Sequence, residues 1–130
     1  MRARAKAVRA ALLGMALLAA SPAVAEPGDM SAAAFLAKAD ALRAKGPMAL
    51  LSGDIKLLKA EGQAAGLAYR ARLKAEKAAG KSPHSCPPSK SRINSTQVIE
   101  HLRAYSPATR ARTTMKAAIS DLMVKTYPCG

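Results

Sequence analysis

Aromatic residues are scarce in this sequence, which has no tryptophan, one phenylalanine and three tyrosines among 130 residues. Aromatic side chains supply much of the buried apolar area in most small domains. The core must therefore be built from Leu, Ile, Met, Val and Ala, and each alanine adds little burial. At about 25 cal/mol for each Å² of apolar area, we expect a modest core that depends on close helix packing.

No apolar run reaches the roughly 20 residues that a membrane-spanning helix needs. The run at residues 10–20 follows four basic residues and ends before Pro22 and the small residues 23–25. This order is typical of a signal peptide, and an N-terminal anchoring helix is the alternative. We expect residues 1–25 to be a cleaved signal peptide. Residues 26–130 then form one periplasmic or secreted domain without a transmembrane segment.

Cysteine occurs only twice, at Cys86 and Cys129. An even pair in an exported protein is typical of a disulfide. Closing a loop of roughly 40 residues would stabilise the domain by about 4 kcal/mol in the chain-entropy model. A free thiol nucleophile or a pair of metal ligands is the alternative, but the two residues lack any CxxC spacing. We predict that Cys86 and Cys129 are bonded to each other.

No segment alternates apolar and polar residues as a half-buried strand does. Cap residues, helix breakers and three-to-four spacing instead predict an all-α fold, a small bundle of about four helices closed by one disulfide. The predicted helices run from Asp29 or Ser31 to about Lys45, from Ser52 or Asp54 to about Ala79, from Asn94 or Ser95 to about Tyr105, and from Ser106 to about Thr126, with a single turn at residues 47–51.

The longest predicted helix carries an apolar stripe that includes Leu58, Ala65 and Tyr69. Gly62 and Gly66 lie on the same side, one turn apart. Glycine costs a helix interior about 1 kcal/mol relative to alanine, so a repeated glycine needs a structural reason. The spacing predicts a partner helix that crosses very closely at these two positions.

Catalytic and metal chemistry finds little support in the sequence. His84 lies two residues before Cys86, which we expect to be bonded, and His101 lies beside Glu100 on a different face of a helix. The eight acids are scattered without a paired spacing, and no glycine-rich phosphate loop occurs. We therefore expect a protein that is not an enzyme and has no cofactor and no metal site.

The charge balance is strongly basic. Without the four basic residues of the signal peptide, 17 Lys and Arg remain against 8 acids, a formal net charge of +9. Such a balance favours an anionic partner, or it is the ordinary surface of a protein from an alanine- and arginine-rich proteome. Nucleic acid is not expected, because single-strand binding needs aromatic platforms that this chain lacks.

The C-terminal half has a recognisable frame of prolines, cysteines and helix-opening residues. In this frame, residues 86–129 resemble the Rap/Tai family of type VI secretion immunity proteins. The elements that carry the resemblance are Cys86-Pro87-Pro88, Ile93, the helix opening Thr96-Gln97-Val98-Ile99 with Leu102 and Tyr105, Pro107, Ala117-Ala118, Leu122 and the terminal Tyr127-Pro128-Cys129, with Gly66 and Tyr69 as a looser match upstream.

The resemblance implies a small periplasmic all-α domain that binds a cell-wall amidase toxin and occludes its active site, often as a homodimer. Our first candidate for the contact surface is the loop at residues 81–92, and our second is the set of basic helix faces with Lys56, Lys59, Arg70 and Lys74. The alternative is an envelope-associated structural module whose basic surface binds anionic lipid or polymer. The candidate partner-binding residues of the loop are His84, Pro87, Pro88, Lys90 and Arg92.

Overall fold

The structure is a computed structural model that describes residues 26–130, so the predicted signal peptide lies outside the described residues. The predicted all-α class is confirmed. In residues 26–130, no helix is both long and apolar enough to cross a membrane. The helices are α1 (Ala32–Lys45), a 3-10 helix (Gly46–Leu51), α2 (Gly53–Ala78), α3 (Ser95–Ala104), α4 (Pro107–Arg112) and α5 (Met115–Thr126).

Side-chain caps fix where the helices begin. The hydroxyl of Ser31 accepts from the Ala34 N–H at 3.1 Å and opens α1, and Ser52 opens α2 in the same way. Asn94 opens α3 with a reciprocal capping box, in which the Gln97 side chain accepts from the Asn94 N–H at 3.0 Å. Each cap satisfies backbone donors that a helix leaves free at its N-terminus.

The prediction of one last helix is wrong, because residues 107–126 form two helices, α4 and α5. The chain breaks at Thr113 and Thr114, where the Thr113 carbonyl accepts from the Ala32 N–H at 2.8 Å. Thr114 pairs with Ser31 in an isolated bridge and then caps α5. The backbone thus leaves helical geometry to bond the start of α1, and its own hydroxyl cap restarts the helix.

The core forms where α2 packs along α5 and where α1 lies across the other helices. Its buried side chains are small or aliphatic, as the composition predicts, with Phe35 and Tyr69 as the aromatic contribution. Leu102 and Met115 are the largest hydrophobic side chains buried completely. The buried cluster consists of Ala32, Phe35, Leu36, Ala65, Tyr69, Leu102, Met115, Ala118 and Ile119.

The segment that precedes α1 is held against α2 by a buried carboxylate. Glu61 is 5% exposed, and its Oε2 accepts from the backbone N–H groups of Gly28 at 2.7 Å and Met30 at 3.2 Å. The carbonyls of the same two residues accept from Lys116 and Met115 at the start of α5. The segment therefore joins α2 to α5 through its main chain.

The predicted disulfide is present between Cys86 and Cys129, whose Cα atoms lie 5.0 Å apart. Beside it, the Cys86 N–H donates to the Tyr127 carbonyl at 2.9 Å. The bridge and this hydrogen bond attach the loop between α2 and α3 to the end of α5. The position of that loop is consequently set by the last helix as well as by its own two ends.

Candidate binding groove

A groove of about 1010 Å³ runs along one side of α2. Its lining residues lie on α1, α2, α3 and α5 and on the loop that precedes α3, which we call the loop wall of the groove. Its apolar lining comes from side chains at helical spacing on four helices and from two residues of the loop. These apolar residues are Phe35, Ala39, Leu42, Leu58, Leu67, Leu73, Pro87, Ile93, Val98, Ile99, Ile119 and Met123.

Gly62 and Gly66 line this groove, and we call the part of α2 that lines it the floor of the groove. A Cβ atom built at either position meets no atom within 4 Å outside the local helix backbone. The predicted close helix crossing at these glycines is therefore wrong. The helix α5 packs on α2, on which Ala65 and Tyr69 are buried. The two glycines lie beside these residues and leave the space above them open.

Basic side chains border the apolar floor. Arg43, Lys59, Arg70, Arg92 and Arg103 all line the groove, and within residues 26–130 its only acidic lining residue is Asp40. The Asp40 carboxylate is paired with Arg103 at 2.5 Å. In the described part of the chain, the other four cations have no carboxylate at salt-bridge distance. The rim of the groove thus offers positive charge to an occupant.

The loop residues that the sequence singled out are divided by the structure. Pro87 and Arg92 line the groove, whereas Pro88 and Lys90 are exposed outside its lining. Of the basic helix residues in our second candidate surface, Lys59 and Arg70 line the groove, while Lys56 and Lys74 are exposed elsewhere. Parts of two surfaces that we predicted separately therefore meet at a single groove.

His84, the remaining loop candidate, is half-buried against α2. Its Nδ1 lies 2.9 Å from the Tyr69 hydroxyl, which also lies 2.5 Å from the hydroxyl of the buried Ser85. The His84 N–H donates to Glu76 at 2.8 Å. A hydrogen bond from Arg72, and then this backbone donor, hold the pKa of Glu76 below its ordinary value. These contacts anchor the loop that forms one wall of the groove.

A second group of polar side chains joins α3 to α5. The Tyr105 hydroxyl donates to Asp121 and lies 3.0 Å from Nε2 of His101. Burial lowers the pKa of His101, and burial together with the Asp121 hydrogen bond raises the pKa of Tyr105. The tyrosine therefore stays protonated as a donor, and the group links two helices rather than presenting a nucleophile.

Within residues 26–130, no group of three or more His, Cys, Asp or Glu side chains could hold a metal ion.

The sequence analysis identified neither the buried Glu61 nor the groove. A signal for Glu61 exists, because it lies four residues before Ala65 and eight before Tyr69 on the buried stripe of α2. No comparable signal marks the groove, because small residues are compatible with both a close crossing and an open floor.

Comparison with known proteins gave no match, whether to family models, to curated proteins or to solved structures.

Proposed function

We propose that this chain is a non-catalytic binding domain of the periplasm, and that its groove holds an acidic amphipathic helix of a partner protein. One observation carries the proposal. The groove has an apolar floor and a basic rim whose cations, apart from the Asp40-paired Arg103, have no carboxylate partner within the described residues. A helix with one apolar and one acidic face matches both properties of this surface.

The length of the groove supports a helical occupant. Its lining on α2 extends from Leu58 to Leu73. These residues are four turns apart, which corresponds to about 22 Å at about 1.5 Å for each residue. Gly62 and Gly66 at mid-length remove side chains from the floor, so the backbone of a docked helix can approach α2 closely, as in small-residue helix contacts. A compact ligand would leave much of this length empty.

Charge supports an acidic occupant. Arg43, Arg70 and Arg92 lie on the rim of the groove and attract carboxylates on the polar face of a docked helix. Contacts of this kind weaken as salt is added, because exposed charges are screened. A second copy of this chain would bring a domain of the same formal charge, +9, to the rim. We therefore propose that the groove binds a different protein.

The specific role that we propose is that of an inhibitor, most specifically the occlusion of a cell-wall amidase toxin. The resemblance to the Rap/Tai immunity proteins supports this role. The disulfide supports an oxidising compartment, where such bonds persist. The loop that carries the resemblance, with Pro87 and Arg92, forms one wall of the groove and is anchored at Cys86, so it loses little entropy on binding.

Site-specific crosslinking tests the proposal. A photo-reactive residue at Leu67, which lines the groove and is 62% exposed, should capture one protein in the periplasm of the native host. The same residue at Lys77, an exposed position in the last turn of α2, is the matched control. A synthetic peptide of the crosslinked segment should then bind the purified domain in a fluorescence anisotropy titration.

Two groove variants decide whether this peptide occupies the proposed site. Gly66→Leu fills the floor and Arg70→Glu reverses a rim charge, so each should weaken peptide binding by about tenfold or more. Lys77→Glu should leave it unchanged. If the partner is a cell-wall amidase, one equivalent of the domain should also abolish its hydrolysis of peptidoglycan. Equal capture at both positions, peptide binding that both groove variants retain, or a lipid copurifying in the groove would overturn the proposal.

A further inference from the structure

The 3-10 helix Gly46–Leu51 presents apolar side chains to water. Met48 is 63% exposed, Leu50 is 81% exposed and Leu51 is 79% exposed. Within residues 26–130, these are the most exposed of the large hydrophobic side chains. Single exposed leucines are common on protein surfaces, but three within four consecutive residues form a patch that needs a partner.

The patch is held in place rather than frayed. Gly46 ends α1 with a φ of +56°, a conformation that glycine adopts without strain, and Pro47 then turns the chain. Ala49 is half-buried, and its carbonyl accepts from the Ser52 N–H at 2.9 Å. The short helix therefore holds its alanine inward while Met48, Leu50 and Leu51 remain exposed.

Basic residues flank the patch on both sides along the chain. Arg43 and Lys45 lie in the last turn of α1, and Lys56 and Lys59 lie in the first two turns of α2. The only acid in residues 43–59 is Asp54, whose carboxylate is paired with Lys38 at 3.2 Å. The surroundings of the exposed apolar side chains are thus positively charged.

We propose that this 3-10 helix is a membrane-contact site, which inserts Met48, Leu50 and Leu51 into the surface of an anionic phospholipid bilayer. The apolar side chains require an apolar medium, which the acyl region of a bilayer supplies and a charged polymer does not. The flanking basic residues lie at the level of anionic headgroups, where each adds attraction. A second copy of the chain is disfavoured as the occupant, because it would bring the same basic residues to the patch.

The contact is shallow and reversible. Six residues of 3-10 helix extend about 12 Å at about 2 Å for each residue, and they provide far less apolar surface than an anchoring segment does. Binding must then depend on the apolar side chains and the basic residues together, so it weakens when either contribution is removed. Met48, Leu50 and Leu51 lie outside the groove lining, whereas Arg43 and Lys59 both line the groove and flank the patch.

Vesicle flotation with the purified chain of residues 26–130 tests this site. The chain should float with vesicles of phosphatidylglycerol and phosphatidylethanolamine at low salt, but not with vesicles of phosphatidylcholine alone. The double variant Leu50→Asp and Leu51→Asp should reduce partitioning by about tenfold or more, since it removes two leucine side chains that the bilayer would bury. The variant Leu67→Asp, which alters the groove, should float as the parent does. A failure of the membrane site can therefore be distinguished from a failure of the proposed function.

A fluorescence measurement reports on depth directly, because the chain contains no tryptophan. A Met48→Trp variant should shift its emission to the blue when phosphatidylglycerol vesicles are added, whereas Val124→Trp, at an exposed position on α5, should not shift. Both proteins should keep the parent's far-ultraviolet circular dichroism. Flotation that the double aspartate variant retains, emission at position 48 that does not change, or a blue shift that appears on concentrating the protein without lipid would overturn the proposal.

Discussion

Two neighbouring faces of α2 differ in what covers them. Glu61 and Ala65 are buried outside the groove lining and Tyr69 is buried at its edge, whereas Gly62 and Gly66, one residue after Glu61 and Ala65, line the groove. Successive helix residues point about 100° apart, so a step of one position moves from the interior to the groove. The long helix therefore contributes one face to the core and the next to the groove, which is the binding surface of the proposed function.

The buried face is specified by polar contacts as well as by packing. Glu61 receives two backbone N–H groups from the segment before α1, and Tyr69 bonds His84 and Ser85 of the loop after α2. The open face has no side chains at Gly62 and Gly66, and no neighbouring atoms fill the space above them. From this contrast we expect substitutions on the buried face to destabilise the fold, and substitutions on the open face to alter binding.

The largest expected effect comes from the disulfide that attaches the groove's loop wall to the end of α5. Replacing Cys86 and Cys129 with Ser should lower the free energy of unfolding by about 4 kcal/mol, since the bridge closes a separation of 43 residues. Urea denaturation of the oxidised parent and the double variant measures it. Titration of free thiols in the folded parent is the control, and two reactive thiols there would contradict the account.

Glu61→Ala should cost about 3 kcal/mol, because it removes a charged acceptor and leaves the buried Gly28 N–H and the Met30 N–H without their partner. Glu100→Ala is the matched control, since Glu100 is an exposed helix acid, and it should change stability by less than about 0.5 kcal/mol. Chemical denaturation of both variants measures the difference. Equal effects would mean that Glu61 does not hold the N-terminal segment.

Alanine at three glycines compares the segment before α1 with the groove face of α2. Gly28 has a φ of +97°, and its Cβ would lie 2.9 Å from Cε of Lys116, so Gly28→Ala should destabilise by about 1–2 kcal/mol. Gly62→Ala and Gly66→Ala should each stabilise by up to about 1 kcal/mol, since alanine is the better helix former and the space is open. Thermal unfolding of the three variants checks these signs. A loss of stability in Gly62→Ala or Gly66→Ala would indicate that a helix does pack closely at that glycine.

The smallest effect is a pH dependence at His101. Burial lowers the pKa of His101 in the folded protein below its ordinary value, so on acidification the unfolded chain takes up this proton before the folded protein does. Stability should therefore fall as the pH drops from about 7 to about 5.5, and His101→Gln should remove part of that fall. Urea denaturation at the two pH values measures it. A pH dependence that is identical in the variant would exclude His101 as its source.

Local signals in the sequence predicted most of the fold. Ser31, Ser52 and Asn94 begin the helices that we assigned to them, because a cap acts on a backbone N–H only two or three residues away. The break at Thr113 was missed because its carbonyl bonds Ala32, a residue far away in the chain. Burial of Glu61 was missed for the same reason, since its partners lie 33 and 31 residues before it.

The groove itself was not predicted from the sequence. Arg92, Pro87, Lys59 and Arg70 were all named from the sequence, as members of two separate surfaces, and the structure brings these four residues to one groove. Its floor was misassigned because glycine spacing does not show whether the space above it is filled. Whether this space is filled depends on which face of α2 the last helix covers. The charges and residue spacing of α2 alone do not determine which face that is.

In the proposed function, the face of α2 with Gly62 and Gly66 serves binding and not folding, and the Gly66→Leu variant tests both parts of this statement. Its free energy of unfolding and its affinity for the crosslinked partner peptide should be measured on the same preparation. We predict a free energy of unfolding at least as large as that of the parent, and an affinity for the peptide that is lower by about tenfold or more. A variant that loses stability while it keeps the parent's affinity would contradict the claim.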